Sequence, residues 1–280
     1  MEVTRQNHIE GIYRQFRKSI ASVEWMIQFW GPFLKYTLEQ YLSKQDDRQV
    51  FGAIFTAYNI PVSPQEEMWL WKAPDQFSLN TDEMEVYRKQ FFHLVMNFGL
   101  VRAYQAIEML LFQAAVIAHF PKNLPEVGKN ATKMGDALIK KAFREDINLG
   151  HLETKNNRHL LRFHAYHSPD FGRFMQETTR IDQRASWAQF FEMMSIIRSI
   201  NVHHGGWMTK DVLNELQSIA KGIFQHSFEF STGTDGLLIL QPKEGDPFLY
   251  IVTLTKDLAV NALKYIFDLP DLSFLGMRRC

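Results

Sequence analysis

One stretch is apolar on almost every side when it is wound as a helix: Phe91-Phe-His-Leu-Val-Met-Asn-Phe-Gly-Leu-Val-Arg-Ala-Tyr-Gln-Ala-Ile-Glu-Met-Leu-Leu-Phe-Gln-Ala-Ala-Val-Ile-Ala-His-Phe120. Such a helix lies at the centre of a bundle, because no face of it suits water. Asp82 and Glu85 have the spacing of a capping box, so the helix is predicted to begin there and to end before Pro121. We therefore expect a mainly α-helical protein built around this segment.

The chain before this helix is predicted to be an N-terminal helical region, residues 1–80. Apolar residues recur every three or four positions from Ile9 to Tyr41, which predicts a helix with one buried stripe. The stripe fits a packing helix or a dimer-forming helix. Gly31-Pro32 is expected to kink this helix or divide it in two. Residues 59–80 contain prolines and Met-Trp-Leu-Trp, and we expect a connection there that packs through its tryptophans.

Five further helices and a hairpin are predicted after the central helix. Ser186 and Gln189 form a second capping-box pattern, and two threonines are placed as N-caps of later helices. Leu237–Leu240 and Phe248–Thr253 flank Pro-Lys-Glu-Gly-Asp-Pro, which is typical of a β-hairpin. The predicted helices cover residues 132–146, 171–184, 186–199, 209–224 and 255–268, and the hairpin covers about residues 236–253.

The composition narrows the class of protein. The 280 residues carry 31 Lys and Arg against 31 Asp and Glu, so no overall positive field draws the chain to nucleic acid or an anionic membrane. The one cysteine, Cys280, excludes an internal disulfide and a Cys-rich zinc site. The first residues lack the apolar core of a signal peptide, and the run Met109–Ala118 is too short to span a bilayer. We expect a cytoplasmic protein.

A second stretch, Arg198-Ser-Ile-Asn-Val-His203-His-Gly-Gly206, carries the functional signal. Five arginines have a histidine after four to six intervening residues, so the spacing alone does not identify a site. Arg198 differs in that it falls on the apolar face of its predicted helix, near Phe191 and Met194. His203 is predicted just past the end of that helix, where two glycines turn the chain. A paired arginine and histidine at the mouth of a groove is the hypothesis.

Glu108 is the candidate partner of this pair, because a carboxylate on so apolar a helix needs compensation. A contact with Arg198 or with His203 would provide it. The alternative interpretation is a buried ion pair that only joins two helices.

The stretch 198–206 resembles the signature of the HEPN superfamily, helical domains of many prokaryotic toxins and defence proteins. That signature is an arginine, four to six residues, and a histidine, commonly in a Val-His-x-x-Gly context. The central helix with Glu108 is similar to the first helix of those domains. The resemblance covers residues 82–268 and leaves residues 1–80 unexplained. Ser199 departs from the pattern, because family members usually carry asparagine or another strongly polar residue there.

The resemblance implies a metal-independent endoribonuclease, without a cofactor, that acts as a toxin or anti-phage effector. His203 would accept a proton, Arg198 would bind the phosphate and Glu108 would orient one of them. Ser199, Asn201 and His204 would contact the RNA substrate. A homodimer and an antitoxin or regulatory partner protein are implied, but no membrane. The alternative is a non-catalytic HEPN-fold module that binds a protein partner, nucleotide or RNA.

A histidine cluster, residues 151–167, has three interpretations. It fits a solvated loop and helix face, an RNA-contacting patch, or a metal site through His164 and His167 at helical spacing. Residues 140–184 hold nine Lys and Arg against six Asp and Glu, only a small excess for RNA binding. No His-Glu-x-x-His pattern, P-loop or Rossmann glycine fingerprint is present.

Overall fold

The computed structural model describes residues 2–42, 50–63, 66–79, 81–123, 131–179, 185–233, 236–270 and 272. The elements in these ranges are α1 (Glu2–Leu42), β1 (Val50–Ser63), β2 (Glu66–Leu79), α2 (Thr81–His119), α3 (Ala131–Glu145), α4 (Arg158–His167), α5 (Pro169–Gln176), α6 (Trp187–His204), β3 (Trp207–Met208), α7 (Lys210–Ser227), β4 (Phe228–Thr232), β5 (Leu238–Pro242) and α8 (Asp246–Ile266). Short 3-10 turns cover Pro121–Asn123, Ile147–Leu149 and Lys155–Asn157. The predicted mainly helical class is confirmed.

The chain divides into two compact units. One unit comprises Met1–Ile27 and Val95–Cys280, and the other comprises Gln28–Leu94. The first unit contains every residue that the sequence singled out for function. The boundary near residues 80–82 stays a prediction.

Helix α2 is the centre of the first unit, as its composition predicted. Successive residues from Ala103 to Ile117 are buried on nearly every side, with Leu111 and Ala114 fully enclosed. The apolar stripe of α1 also packs inward. Its six residues in the first unit are all buried: Ile9, Ile12, Phe16, Ile20, Val23 and Ile27. These two helices account for much of the apolar surface removed from water, the main driving force for folding.

By length and composition, one described segment could cross a membrane, Arg88–His119. Of its most apolar window, 67% is buried inside the protein. The central helix of a soluble protein has this pattern.

The N-terminal region differs from expectation in two places. Helix α1 runs from Glu2 to Leu42 with Pro32 inside it, so its division at Gly31-Pro32 is wrong, while the alternative of a kink stays a prediction. Residues 59–63 and 66–79 are not a simple connection, because β1 and β2 pair as an antiparallel hairpin. The predicted packing of the tryptophans lies outside the described side chains. Prolines are unusual inside strands, which is why a hairpin was not predicted here. Pro74 of β2 lies opposite the register shift between Ile54 and Thr56 of β1. A bulge in an edge strand tolerates a residue without a backbone N–H.

The C-terminal hairpin has different strands from those predicted. β5 is the expected first strand, but it pairs with β4, upstream of it, and β3 adds on the other side. The predicted second strand, Phe248–Thr253, instead belongs to α8. Helix α8 therefore begins at Asp246 and not at Thr255.

The local sequence explains why α8 begins early. Pro247 occupies the first turn, where its missing N–H costs nothing, and Asp246 interacts favourably with the helix dipole. Phe248, Ile251 and Val252 are buried on the face that Thr255 and Leu258 continue. A short apolar run rich in β-branched residues does not by itself distinguish a strand from a buried helix.

Two helix ends also differ from expectation. Helix α5 ends at Gln176 rather than near residue 184, and Thr178 forms a bridge with Ser186. Helix α6 begins at the predicted capping box, in which Ser186 and Gln189 exchange both hydrogen bonds. It continues to His204 instead of ending near Ser199.

The glycine pair after α6 turns the chain as predicted. Gly205 is left-handed, with φ 59°, and Gly206 follows with φ 91°. The N–H of Gly206 donates to the carbonyl of Ile200 at 3.2 Å, and its own carbonyl accepts from the N–H of Leu240 at 2.9 Å. These bonds join the end of α6 to the start of the sheet.

Gly205→Ala tests the strain at this turn. A Cβ at Gly205 would meet only the Trp207 ring, at 4.0 Å, so space is available and only the backbone conformation is unfavourable. We expect the substitution to lower the free energy of unfolding by about 1–2 kcal/mol. Chemical denaturation measures this change. Asparagine tolerates the left-handed region, so Gly205→Asn is the matched control and should cost less; equal losses would contradict the explanation.

Candidate functional site

Arg198 and His203 lie together at the C-terminal end of α6. Nη1 of Arg198 is 3.4 Å from Nε2 of His203. Both residues belong to the helix, so the histidine is in the last turn and not beyond it as predicted. His203 is exposed, whereas Arg198 is half-buried. The predicted adjacency of these two side chains is therefore present, at a surface that solvent reaches.

The Arg198 side chain crosses from the core to this surface. Its Nε is buried without a hydrogen-bond partner in the described structure, while its Nη1 reaches His203. A guanidinium only donates, so the contact requires an unprotonated Nε2 on the histidine. The buried stem fixes the direction of the guanidinium and leaves its outer edge for an anion.

Behind the arginine, Asn157 joins two polar groups of α2. Its Nδ2 donates to the hydroxyl of Tyr104 at 2.6 Å and to Oε1 of Glu108 at 2.5 Å. The Tyr104 hydroxyl donates in turn to Oγ of Ser195 at 3.2 Å. Tyr104 and Ser195 are buried. A continuous hydrogen-bonded chain thus links α2, the 155–157 turn and α6, one turn of helix before Arg198.

The turn that carries Asn157 is held by charges on both sides. Asn156 and Asn157 have φ of 52° and 56°, a left-handed conformation that asparagine tolerates better than most residues. Arg158 donates to Oε1 of Glu153 at 2.6 Å and, through Nε, to Oε1 of Glu192 at 3.1 Å. Asn156 also donates to Oε1 of Glu192, at 3.1 Å. Glu192 of α6 therefore fixes the turn from which Asn157 reaches α2.

Glu108 makes a different contact from the one predicted. No ion pair joins it to Arg198 or His203 within the described structure; its hydrogen-bond partner is Asn157. Burial raises the pKa of the Glu108 carboxyl above its usual value, while the Asn157 bond and the charge of Arg198 lower it. Arg198 thus acts on Glu108 through space. The interpretation as an ion pair that only joins two helices is not what the geometry shows.

The three predicted substrate contacts lie near the pair, with different availability. His204 is exposed, and its ring is 6.4 Å from the His203 ring, edge to face. Ser199 is half-buried. The amide of Asn201 donates to the carbonyl of Ile197 at 3.1 Å, so this donor is used within the helix. Of these three residues, only His204 is exposed, while Ser199 and Asn201 are half-buried.

The histidine cluster is only partly the solvated loop and helix face that was one of its three interpretations, because His151 and His167 are exposed. His159 and His164 are buried, at 2% and 0% exposure. Nε2 of His159 lies 2.9 Å from Oδ1 of Asp136, and Nε2 of His164 lies 3.0 Å from the carbonyl of Leu111. The rings of His119 and His167 stack with centroids 4.4 Å apart. Among the described residues, no group of three or more His, Cys, Asp or Glu is arranged to hold a metal ion.

Three members of the polar chain were not identified from the sequence. They are Tyr104, Asn157 and Ser195. Spacing offered two signals: Tyr104 is four residues before Glu108 on one helix, and Ser195 is three residues before Arg198 on another, so each pair shares a face. Nothing local marks Asn157, because its partners lie about fifty residues away along the chain.

Comparison of the chain with protein-family models, curated proteins and solved structures gives no match. A function can therefore be proposed only from the geometry and from the resemblance of residues 198–206.

The buried histidines predict a loss of stability in acid. Burial lowers the pKa of His119 to about 4 and of His164 to about 3. The unfolded chain takes up protons at the ordinary value of 6.5, so the free energy of unfolding should fall as pH drops from about 6.5 towards 3. Denaturation at a series of pH values measures this fall. His164→Gln retains an N–H donor for Leu111 and should make the fall shallower.

The control for this experiment is His151→Gln, at an exposed histidine. It should leave the pH dependence unchanged. An identical acid profile in the His164→Gln variant would contradict the assignment.

Proposed function

We propose that the Arg198–His203 pair is the active site of a HEPN-like, metal-independent endoribonuclease. The observation that carries this proposal is the 3.4 Å approach of Nη1 of Arg198 to Nε2 of His203 at an exposed helix end. A histidine imidazole is a side chain suited to general acid–base catalysis. A guanidinium beside it is suited to a phosphate.

The reaction needs two proton transfers and one displacement at phosphorus. His203 takes the proton of a ribose 2′-hydroxyl, and the resulting oxygen attacks the adjacent phosphorus. The bond from phosphorus to the 5′-oxygen breaks, and that oxygen takes up a proton. The products are a 2′,3′-cyclic phosphate and a 5′-hydroxyl. Arg198 balances the negative charge that builds on the phosphoryl oxygens.

The polar chain behind the pair positions Arg198. Ser195 is one helical turn before the arginine and accepts from Tyr104. The arginine stem is buried, so its guanidinium has little freedom to leave the site. Arg198 lies within electrostatic reach of Glu108, and its charge favours the ionised form of the Glu108 carboxyl.

A non-catalytic HEPN-fold module is the second candidate. The observation that favours it is the same hydrogen bond: the resting arginine occupies the lone pair that His203 would use as a base. Ser199 in place of a more polar residue and the zero net charge point the same way. Such a module would bind a protein partner, a nucleotide or RNA without cutting it.

Cleavage of RNA in the presence of EDTA tests the first candidate. We expect the purified protein to cut RNA and to leave 2′,3′-cyclic phosphate ends. Arg198→Ala and His203→Ala should each reduce the rate by about 100-fold or more, the usual contribution of an acid–base or charge-stabilising group. Gel analysis of labelled RNA measures the rate.

The matched control is Arg144→Ala with His151→Ala, a pair of exposed residues with six residues between them. This variant should cleave at the wild-type rate. Cleavage that survives the Arg198 and His203 substitutions sinks the catalytic assignment. If induced expression of the wild type arrests growth and the Arg198→Ala version does not, the catalytic candidate gains over the binding module.

The protein is proposed to act in the cytoplasm as a toxin or anti-phage effector, with an antitoxin or other regulatory partner. HEPN domains commonly pair, and an exposed His203 leaves room for a second copy to face it. We therefore expect a homodimer in which two Arg198–His203 pairs share a cleft. Light scattering at micromolar concentration should give a mass near twice 32.8 kDa. A monomeric mass contradicts the shared cleft without affecting the single-site chemistry.

A further inference from the structure

A cavity of about 410 Å³ has Glu108, one of the predicted site residues, in its wall. Its walls come from α2, from the first part of α3 and from residues 154–159. This volume lies within the range of about 300–1,000 Å³ that is usual for small-molecule sites. The proposed reaction at Arg198 and His203 does not require such a cavity.

Glu108 and Asn157 connect the cavity to the active site. Both residues line the cavity, and both belong to the hydrogen-bonded chain that reaches Tyr104 and Ser195. Glu108 is within electrostatic reach of Arg198 and also of Asp136 on the cavity wall. A group bound at Glu108 is therefore within electrostatic reach of Arg198.

The cavity wall presents unused hydrogen-bond acceptors. Asn157 donates both of its side-chain hydrogen bonds through Nδ2, and its Oδ1 accepts none from the described residues. Oε2 of Glu108 likewise accepts none, and its half-buried carboxylate is poorly hydrated. Asp136 differs, because Lys140 donates to Oδ2 at 2.7 Å and His159 lies 2.9 Å from Oδ1. The unused acceptor atoms of Asn157 and Glu108 suit a ligand that carries N–H donors.

We infer that this cavity binds a guanine base of the RNA substrate, with Glu108 as the residue that selects it. Guanine carries N1–H and the 2-amino group side by side, and a carboxylate accepts two parallel donors well. Adenine and cytosine present an amino group next to a ring acceptor, which would face the carboxylate lone pairs. Uracil has one N–H between two carbonyl oxygens. Recognition of an unstacked base through this edge is the usual mode for single-stranded RNA.

Two cavity residues fit the rest of a nucleotide. Phe112, which is buried at 2% exposure, closes part of the wall and makes it apolar there. Lys133, exposed in the first turn of α3, offers a cation for the sugar-phosphate backbone. Specificity would thus come from Glu108 and Asn157, while Lys133 would contribute affinity without base preference.

This inference rests on the proposed function for its RNA substrate, but binding can be tested without cleavage. We expect calorimetric titration with GMP, AMP, CMP and UMP to show GMP binding at least about tenfold tighter than the others, the discrimination of one bidentate base contact. Glu108→Gln should remove this preference, because an amide places a donor against guanine. Glu145→Gln, at an exposed carboxylate of α3, is the matched control and should retain it.

A second variant guards against misfolding of Glu108→Gln. Thr132→Trp places a large ring in the cavity from the partly exposed start of α3, and should abolish GMP binding while circular dichroism stays unchanged. In the cleavage assay, an oligonucleotide with one guanosine among uridines should be cut beside the guanosine. The same oligonucleotide with adenosine in its place should be cut at least about tenfold more slowly.

The outcomes separate the two claims. GMP binding that depends on Glu108, in a protein that cuts no RNA, would uphold the guanine site as a nucleotide site and overturn the ribonuclease. RNA cleavage that depends on Arg198 but shows no base preference would uphold the ribonuclease and overturn the guanine site. Equal binding of the four nucleotides, or GMP binding that survives Thr132→Trp, also overturns it.

Discussion

Helix α2 is apolar on nearly every side from Ala103 to Ile117, and the first unit is built to enclose it. A helix with no polar face is stable only when other elements cover all of it. Helix α1 supplies a buried stripe, and α6 and α8 supply further apolar surfaces. This arrangement removes polar side chains of α2 from water. Their burial is unfavourable unless they form hydrogen bonds with other parts of the protein.

Tyr104 and Glu108 are two of those groups, and their hydrogen bonds connect α2 with the helix that carries the candidate site. One amide, that of Asn157, donates to both. The amide reaches them only because the turn before α4 adopts two left-handed residues, fixed by Glu192. Satisfying the central helix therefore draws α6 and the 155–157 turn together, and Arg198 emerges at their junction. The same contacts that stabilise the core place a cation at the surface.

Local patterns predicted the elements that depend on local interactions. The capping box at Ser186, the break at Gly205-Gly206 and the apolar character of α2 each follow from a few neighbouring residues, and the structure confirms them. The β1–β2 hairpin was not predicted, because its prolines are typical of loops unless a bulge accommodates them. The early start of α8 was not predicted, because a short run rich in β-branched residues fits a strand as well as a buried helix. The site was predictable to the same degree. Arg198 and His203 lie on one helix end, whereas Asn157 depends on contacts distant in sequence.

The hydrogen bond from Leu240 to the carbonyl of Gly206 has a consequence for how the protein can be shortened. It ties the end of α6 to a strand that begins more than thirty residues later. A fragment that stops before β5 would lose this tie, although it would keep every residue of the Arg198–His203 stretch. The smallest piece that preserves the geometry of the pair must therefore extend through Pro242, well beyond the motif itself.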